Sequence, residues 1–154
     1  MNEKTVRFSE TESSDIVHPS DANAYGFVFG GHLVSLMDKT AGIAAMRHTE
    51  SKVTTVAIDS LDFVHPAKVG TILTIRASVN RAFHTSLEIE VQVTGIYPGE
   101  KESQLIANAH MTFVALGEDG KPAAVPAVIP ETDAEKRRYE AALQRREAKK
   151  ALRR

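Results

Sequence analysis

Between residues 53 and 115 the chain alternates apolar and polar side chains through four successive runs, and this period of two restricts the architectures open to it. Leu73, Ile75, Ala77 and Val79 alternate with Thr74, Arg76, Ser78 and Asn80. Leu87, Ile89, Val91 and Val93 alternate with Glu88, Glu90, Gln92 and Thr94. Leu105, Ala107, Ala109, Met111, Phe113 and Ala115 alternate with Ile106, Asn108, His110, Thr112 and Val114. Successive strand side chains point to opposite faces, so each run reads as a half-buried antiparallel strand with one face in and one face out. The first run, Val53 to Val64, changes phase: Val56 and Ile58 share one parity, Leu61 and Phe63 the other. That switch predicts a β-bulge near Asp59-Ser60. His65-Pro66, Val69-Gly70, Arg81 to Ser86 and Pro98-Gly99 separate the runs.

Ahead of these runs lies the chain's one apolar helical pattern. Leu33, Leu36, Met37, Thr40, Ala41, Ala44 and Ala45 recur at helical spacing between Leu33 and His48. Asp38 sits about two turns into this helix, on the flank shared with Ala41, Gly42 and Ala45. A carboxylate in so apolar a run either costs stability or serves chemistry. Gly42 costs a helix roughly 1 kcal/mol relative to Ala, so that flank is expected to face a close neighbour, a second subunit being one choice. The helix is entered from a loop, His18 to Phe29, rich in Pro, Asp, Asn and Gly, through Gly30-Gly31. Unpaired N–H groups and a partial positive charge at such a helix start suit a carbonyl oxygen that becomes negative during reaction.

One apolar helix followed by a strand meander is an α+β pattern, with the helix across one sheet face. Residues 1–10 read as a loose lead-in and residues 11–17 as a weak first strand. Pro122, Pro126 and Pro130 mark an extended segment, and a charged helix follows from about 132 to 152, with Thr132 or Asp133 as N-cap. The edge strands must be paired or covered, which dimerisation can do. The 154 residues fit a single domain, 1–154, with its core over about 11–130. The chain has no cysteine, which removes disulfides, thiolate metal sites and a cysteine nucleophile and fits a cytoplasmic protein. Neither a signal peptide nor a membrane span is expected. Charge is uneven: residues 136–154 carry nine Lys/Arg and two Glu, a balance of +7, leaving −8 on the rest. Such an end fits either an anionic partner or a solvated terminal helix.

Several ordered motifs carry a resemblance. Asp21-Ala22-Asn23-Ala24-Tyr25-Gly26-Phe27-Val28-Phe29-Gly30-Gly31, then Leu36-Met37-Asp38-Lys39-Thr40-Ala41-Gly42, resemble the signature of the hotdog-fold acyl-CoA thioesterases, in the group of brain acyl-CoA hydrolase and its bacterial relatives. Asp62-Phe63, Gly70, Thr85 to Val91 and Pro130 to Glu140 are similar to that group in the same order, so the likeness spans roughly residues 15–150. It implies a hotdog fold, an antiparallel sheet wrapped around a long central helix. It also implies an obligate homodimer, assembled further into a hexamer as a trimer of dimers, with the site between protomers. The acting pair it implies is Asn23 from one subunit and Asp38 from the other.

For thioester hydrolysis, Asp38 is expected to act as general base on water, or less simply as a nucleophile. Asn23 would position water or the thioester, and N–H groups near Gly31 and His32 would polarise the carbonyl. Neither metal nor cofactor is expected, CoA being part of substrate and product. By residue type alone, Asp38 fits equally a helix residue paired with a cation, and Asn23 a plain turn residue. Arg81, Thr85 and Ser86 suit CoA phosphates or pantetheine, or merely join two strands; the basic end could meet the 3′-phosphoadenosine. His18, His32, His48, His65, His84 and His110 show no metal-ligand spacing, and Ser35 lacks the Gly-x-Ser-x-Gly turn of an esterase. A hydroxyacyl-thioester dehydratase on the same scaffold and a non-catalytic acyl-CoA or nucleic-acid binding module are the alternatives. Tyr139 is the sole aromatic of the basic end, which speaks against nucleic acid.

Overall fold

The four alternating runs become the body of one antiparallel sheet. The structure, a computed structural model, describes residues 2–153; Met1 and Arg154, the last cation of the basic end, lie outside them. In chain order the elements are β1 (Lys4–Thr5), α1 (Val6–Ser9), β2 (Thr11–Ile16), α2 (Gly30–Thr49), β3 (Lys52–Phe63), β4 (Ile72–Ala82), β5 (Ser86–Ile96), β6 (Gln104–Leu116), β7 (Val128–Ile129) and α3 (Asp133–Leu152). The sheet order is β2-β4-β5-β6-β3, every neighbour antiparallel, so β2 and β3 are its edges. A short parallel pair, β1 with β7, stands apart.

The buried parity of the strands faces α2. Leu73, Ile75, Val79, Leu87, Ile89, Val91, Met111 and Phe113 pack with Leu33, Met37, Ala41, Ala44 and Ala45 in one core. Burying such side chains removes about 1.5–3 kcal/mol each of exposure cost, which holds a helix across five strands. Alanines on α2 let it lie close to the sheet. Within the chain, Gly42 lies against Phe113, 3.7 Å from where a Cβ would stand.

Two irregularities break the β3–β6 ladder, between Thr55 and Ala57 and between Asp59 and Asp62, with Ser60 at φ 51°. The predicted bulge is the second of them. Val56 and Ile58 nevertheless lie exposed, against the burial their apolar character predicts, while Val53 and Leu61 pack on the core. The register accounts for Val56, the extra residue between Thr55, paired with Phe113, and Ala57, paired with Thr112; Ile58 pairs with buried Met111 but stays exposed on the edge strand.

The lead-in is ordered structure, contrary to expectation. Lys4 pairs with Val128, its Nζ donates to the His48 carbonyl at 2.7 Å, and Val6 and Ser9 are buried. The reason is long-range: the proline-rich segment returns as β7 and gives residues 4–5 a strand to pair with, which local sequence does not show.

Thr132 caps α3, accepting from the Glu135 N–H in a reciprocal capping box. The helix is not merely solvated. It lies on the outer sheet face, whose polar parity it meets with cations. Arg145 holds Glu88 through two bonds, at 2.6 and 3.2 Å, and Lys149 pairs with Asp59 at 3.2 Å. Part of the charge asymmetry therefore closes within the chain.

Candidate active site

Asn23 shapes the loop that enters α2. Its Oδ1 accepts from the N–H groups of Tyr25 and Phe27, at 3.0 and 3.2 Å, and its own N–H donates to the Phe27 carbonyl at 2.7 Å. Gly26 completes the turn at φ +86°. Because the carbonyl end of the Asn23 side chain is spent on the turn, any action on a ligand falls to Nδ2. Among the described residues that amide nitrogen has no hydrogen-bond partner, and the residue is exposed.

At the start of α2 the N-cap residue Phe29 supplies no capping side chain. The His32 N–H is taken by the Phe29 carbonyl at 3.1 Å. Of the two donors expected at Gly31 and His32, the His32 N–H is thus engaged within the chain. Among the described residues it is Gly30 and Gly31 whose N–H groups lack partners. The absent side chain at Gly30 makes room for the Phe63 ring, whose Cζ would stand 3.0 Å from a Cβ there. Exposed Tyr25, Phe27, Phe29 and Phe63 leave this corner of the fold rich in aromatic surface. The buried Nε2 of His32 lies 3.6 Å from both Asp15 Oδ2 and Asp21 Oδ2, without a hydrogen bond.

Asp38 projects from α2 toward β3. Thr55 Oγ1 donates to Asp38 Oδ1 at 2.6 Å, and both residues are half-buried. This charge-assisted bond fixes the carboxylate's orientation. Among the described residues Oδ2 receives no hydrogen bond, so it is open to water. Thr55 is the residue that sequence reasoning missed. Its signal was a hydroxyl at a position that the β3 register turns toward the helix. Among the described residues no hydrogen bond joins Asn23 to Asp38 within the chain.

The three residues expected to hold CoA separate. Arg81 is engaged within the chain: its guanidinium lies 3.9 Å over the Tyr139 ring and donates to the Tyr139 carbonyl at 3.2 Å, docking α3. Thr85 and Ser86 line a groove of about 620 Å³ between the sheet and the last turns of α3. Ser86 accepts from Arg146 Nη2 there. This groove is on the outer sheet face, whereas Asp38 is on the α2 face. Beside it, Asn80 Nδ2 donates to Glu88 and Glu90, and His110 Nε2 is 3.1 Å from Glu90 Oε1. Burial pushes the Glu90 carboxyl up, but the His110 and Asn80 hydrogen bonds, with the charges of His110 and Arg138, together hold it below its ordinary value. Among the described residues no three His, Asp or Glu side chains converge to hold a metal ion, and no helix is long and apolar enough to cross a membrane.

Known proteins resemble this chain in sequence and fold. Residues 25–95 match the family model of the thioesterase superfamily. Cytosolic acyl coenzyme A thioester hydrolase of Rattus norvegicus is 36% identical over 138 residues, 88% of this chain. The chain spans only 36% of the length of that protein and of its mouse and human counterparts. Acyl-CoA hydrolase of Staphylococcus aureus, solved in complex with butyryl coenzyme A, coenzyme A and coenzyme A disulfide, superimposes with a TM-score of 0.92 at 40% identity, over 98% of this chain and 92% of that one. The same enzyme has been solved with an aspartate, a threonine or an asparagine replaced by alanine. An apo-hexameric acyl-CoA thioesterase gives a TM-score of 0.95 at 38% identity, over 99% and 97% of the two chains. With its sheet wrapped around α2, and with sequence kinship along nearly its whole length, the chain belongs to the hotdog-fold acyl-CoA hydrolases of the thioesterase superfamily.

Proposed function

We propose that this chain hydrolyses the thioester of fatty acyl-CoA to fatty acid and CoA, with Asp38 as general base and Asn23 supplied by a second copy. The observation that carries this reading is Asp38 itself: a carboxylate on the core helix, oriented by Thr55 through one oxygen and open to water through the other. Water held at Oδ2 gives its proton to Asp38 as its oxygen attacks the thioester carbon. The N–H groups of Gly30 and Gly31 and the Nδ2 of Asn23 are donors for the oxyanion. The carbon–sulfur bond then breaks, and the thiolate of CoA leaves and takes up a proton. The scheme calls on no metal or cofactor.

Two further facts support it. In the S. aureus enzyme the asparagine, aspartate and threonine replaced by alanine follow one another at the same spacing as Asn23, Asp38 and Thr55. And β3 is a 12-residue edge strand with exposed Val56, Ile58 and Phe63, followed by exposed Val64. Long apolar edges are managed by pairing, and an antiparallel pairing of β3 with its copy is the simplest way to cover this one. We take the dimer so formed as the unit of a hexameric trimer of dimers. A cytoplasmic location goes with this scheme, in keeping with the cytosolic hydrolase of rat.

Thiol release from acyl-CoAs of increasing chain length tests the activity, and the cysteine-free chain adds no background. Asp38→Asn and Asn23→Asp should each abolish turnover. Mixed one to one after subunit exchange, they should recover about a quarter of wild-type activity, since half the dimers then carry one intact site of two. Absence of hydrolysis at every chain length would sink the enzymatic reading. Two inactive variants that stay inactive in mixed dimers would sink the shared site.

A further inference from the structure

The groove under the last turns of α3 carries more positive charge than the chain itself neutralises. Of its cations, Arg145 is held by Glu88 and Lys149 by Asp59. Arg146, Lys150 and Arg153 line the same groove, and among the described residues none of them forms an ion pair with a carboxylate. Arg146 is half-buried, its guanidinium carbon 3.9 Å over the centre of the Phe83 ring and its Nη2 bonded to the Ser86 hydroxyl. Burial lowers its hold on the proton, Glu88 raises it, and the facing charge of Arg153 lowers it again, with a net fall from the ordinary value. Like charges brought together against an aromatic wall and two hydroxyl-bearing residues, Thr85 and Ser86, make an arrangement that a bound anion relaxes.

We propose that this groove binds a phosphorylated ligand, its phosphate held by the guanidinium groups of Arg146 and Arg153, by Lys150 and by the Ser86 hydroxyl. Three unmatched cations call for a multiply charged anion, which among common metabolites means a phosphate monoester or a pyrophosphate rather than a single carboxylate. The site is separate from the carboxylate chemistry. Val56 lines the groove, whereas its neighbour Thr55 bonds Asp38, so the two places lie on opposite faces of one edge strand. CoA carries both a pyrophosphate and a 3′-phosphate, and a separate phosphorylated effector presents the same groups. The anion site stands without the thioesterase reading; only the CoA arm of its test rests on it.

Calorimetric titration of the full chain with inorganic pyrophosphate, at low and at moderate salt, is the direct measurement. Binding should weaken with salt and fall about tenfold or more in Arg146→Gln/Arg153→Gln, as expected for lost charge-assisted bonds. Lys150→Gln/Arg153→Gln alters exposed residues alone, so a fall in that pair cannot be ascribed to loss of α3 docking. Circular dichroism checks that the helix persists. If the ligand is the substrate's own nucleotide, KM for acyl-CoA rises in both double variants, and CoA competes with pyrophosphate while pantetheine does not. If a different phosphorylated molecule is the ligand, pyrophosphate affinity falls while KM for acyl-CoA holds. Failure of the wild-type chain to bind pyrophosphate at low salt, or unchanged binding in both double variants, overturns the proposal.

Discussion

Replacing Thr55 by valine isolates one hydrogen bond. Valine keeps the shape of threonine and suits a strand, so β3 and the core beside Phe113 stay filled. What is lost is the donor to Asp38 Oδ1 at 2.6 Å. A hydrogen bond to a charged group is worth about 1.5–3 kcal/mol, and half-burial of both partners places this one at the lower end. If the whole of that energy orients the carboxylate in the transition state, about 1.5 kcal/mol corresponds to roughly a tenfold fall in kcat. The assay is single-substrate thiol release with kcat and KM determined separately. A base that is misoriented but not removed should lower kcat with little change in KM. Thr55→Ser keeps the hydroxyl and should recover most of the rate. A folded, oligomeric Thr55→Val enzyme with kcat within about twofold of wild type would refute the role assigned to Thr55.

Other perturbations separate the remaining parts. Asn23→Asp keeps an acceptor for the Tyr25 and Phe27 N–H groups but removes the Nδ2 donor. Activity should vanish while the melting temperature moves by no more than about 2–4 °C, whereas Asn23→Ala should lose both turn and activity. Ile75 is fully buried in the face against α2, and Ile75→Ala should cost about 2–5 kcal/mol, read as a lower urea midpoint at unchanged slope. Arg145→Ala removes the ion-pair partner of Glu88, a 7%-exposed carboxylate left with only the Asn80 amide, and should cost about 1–3 kcal/mol, with the Glu88→Gln/Arg145→Ala pair recovering part of it. His48 is buried with Nε2 at 2.7 Å from the Pro126 carbonyl, an acceptor only, so Nε2 carries the proton and Nδ1 is bare. Burial lowers its pKa, the Pro126 bond raises it and Lys4 lowers it further, with a net fall. Its stabilising effect is therefore complete above about pH 6.5 and is lost as pH falls toward the folded-state value, a slope that His48→Gln should flatten in urea titrations over that window.

The sequence by itself determined the elements and their faces. Period two in Leu73 to Val79 and Leu87 to Val93 leaves no other way to bury those residues than a sheet, and the Leu33-to-Ala45 stripe requires a helix across it. The turn at Asn23 and the carboxylate of Asp38 on an apolar helix were legible as local features, but residue type alone left each with a plain structural reading, and only the ordered motifs singled them out. Tertiary structure alone decided the rest. Thr55 reaches Asp38 only because the β3–β6 register turns it inward, and a register is a relation between two strands that neither strand states. Arg81 bears a charge that fits a phosphate, yet the ring of Tyr139, 58 positions away, claims it. The lead-in became structure because β7 came back to pair with it. The basic end, legible as a charge of unknown use, divides into cations that meet Glu88, Glu90 and Asp59 and cations that, among the described residues, pair with no carboxylate. Pattern fixes what a residue must avoid, water or apolar surroundings, whereas its partner depends on which distant segment the fold delivers within about 3 Å, the reach of a hydrogen bond.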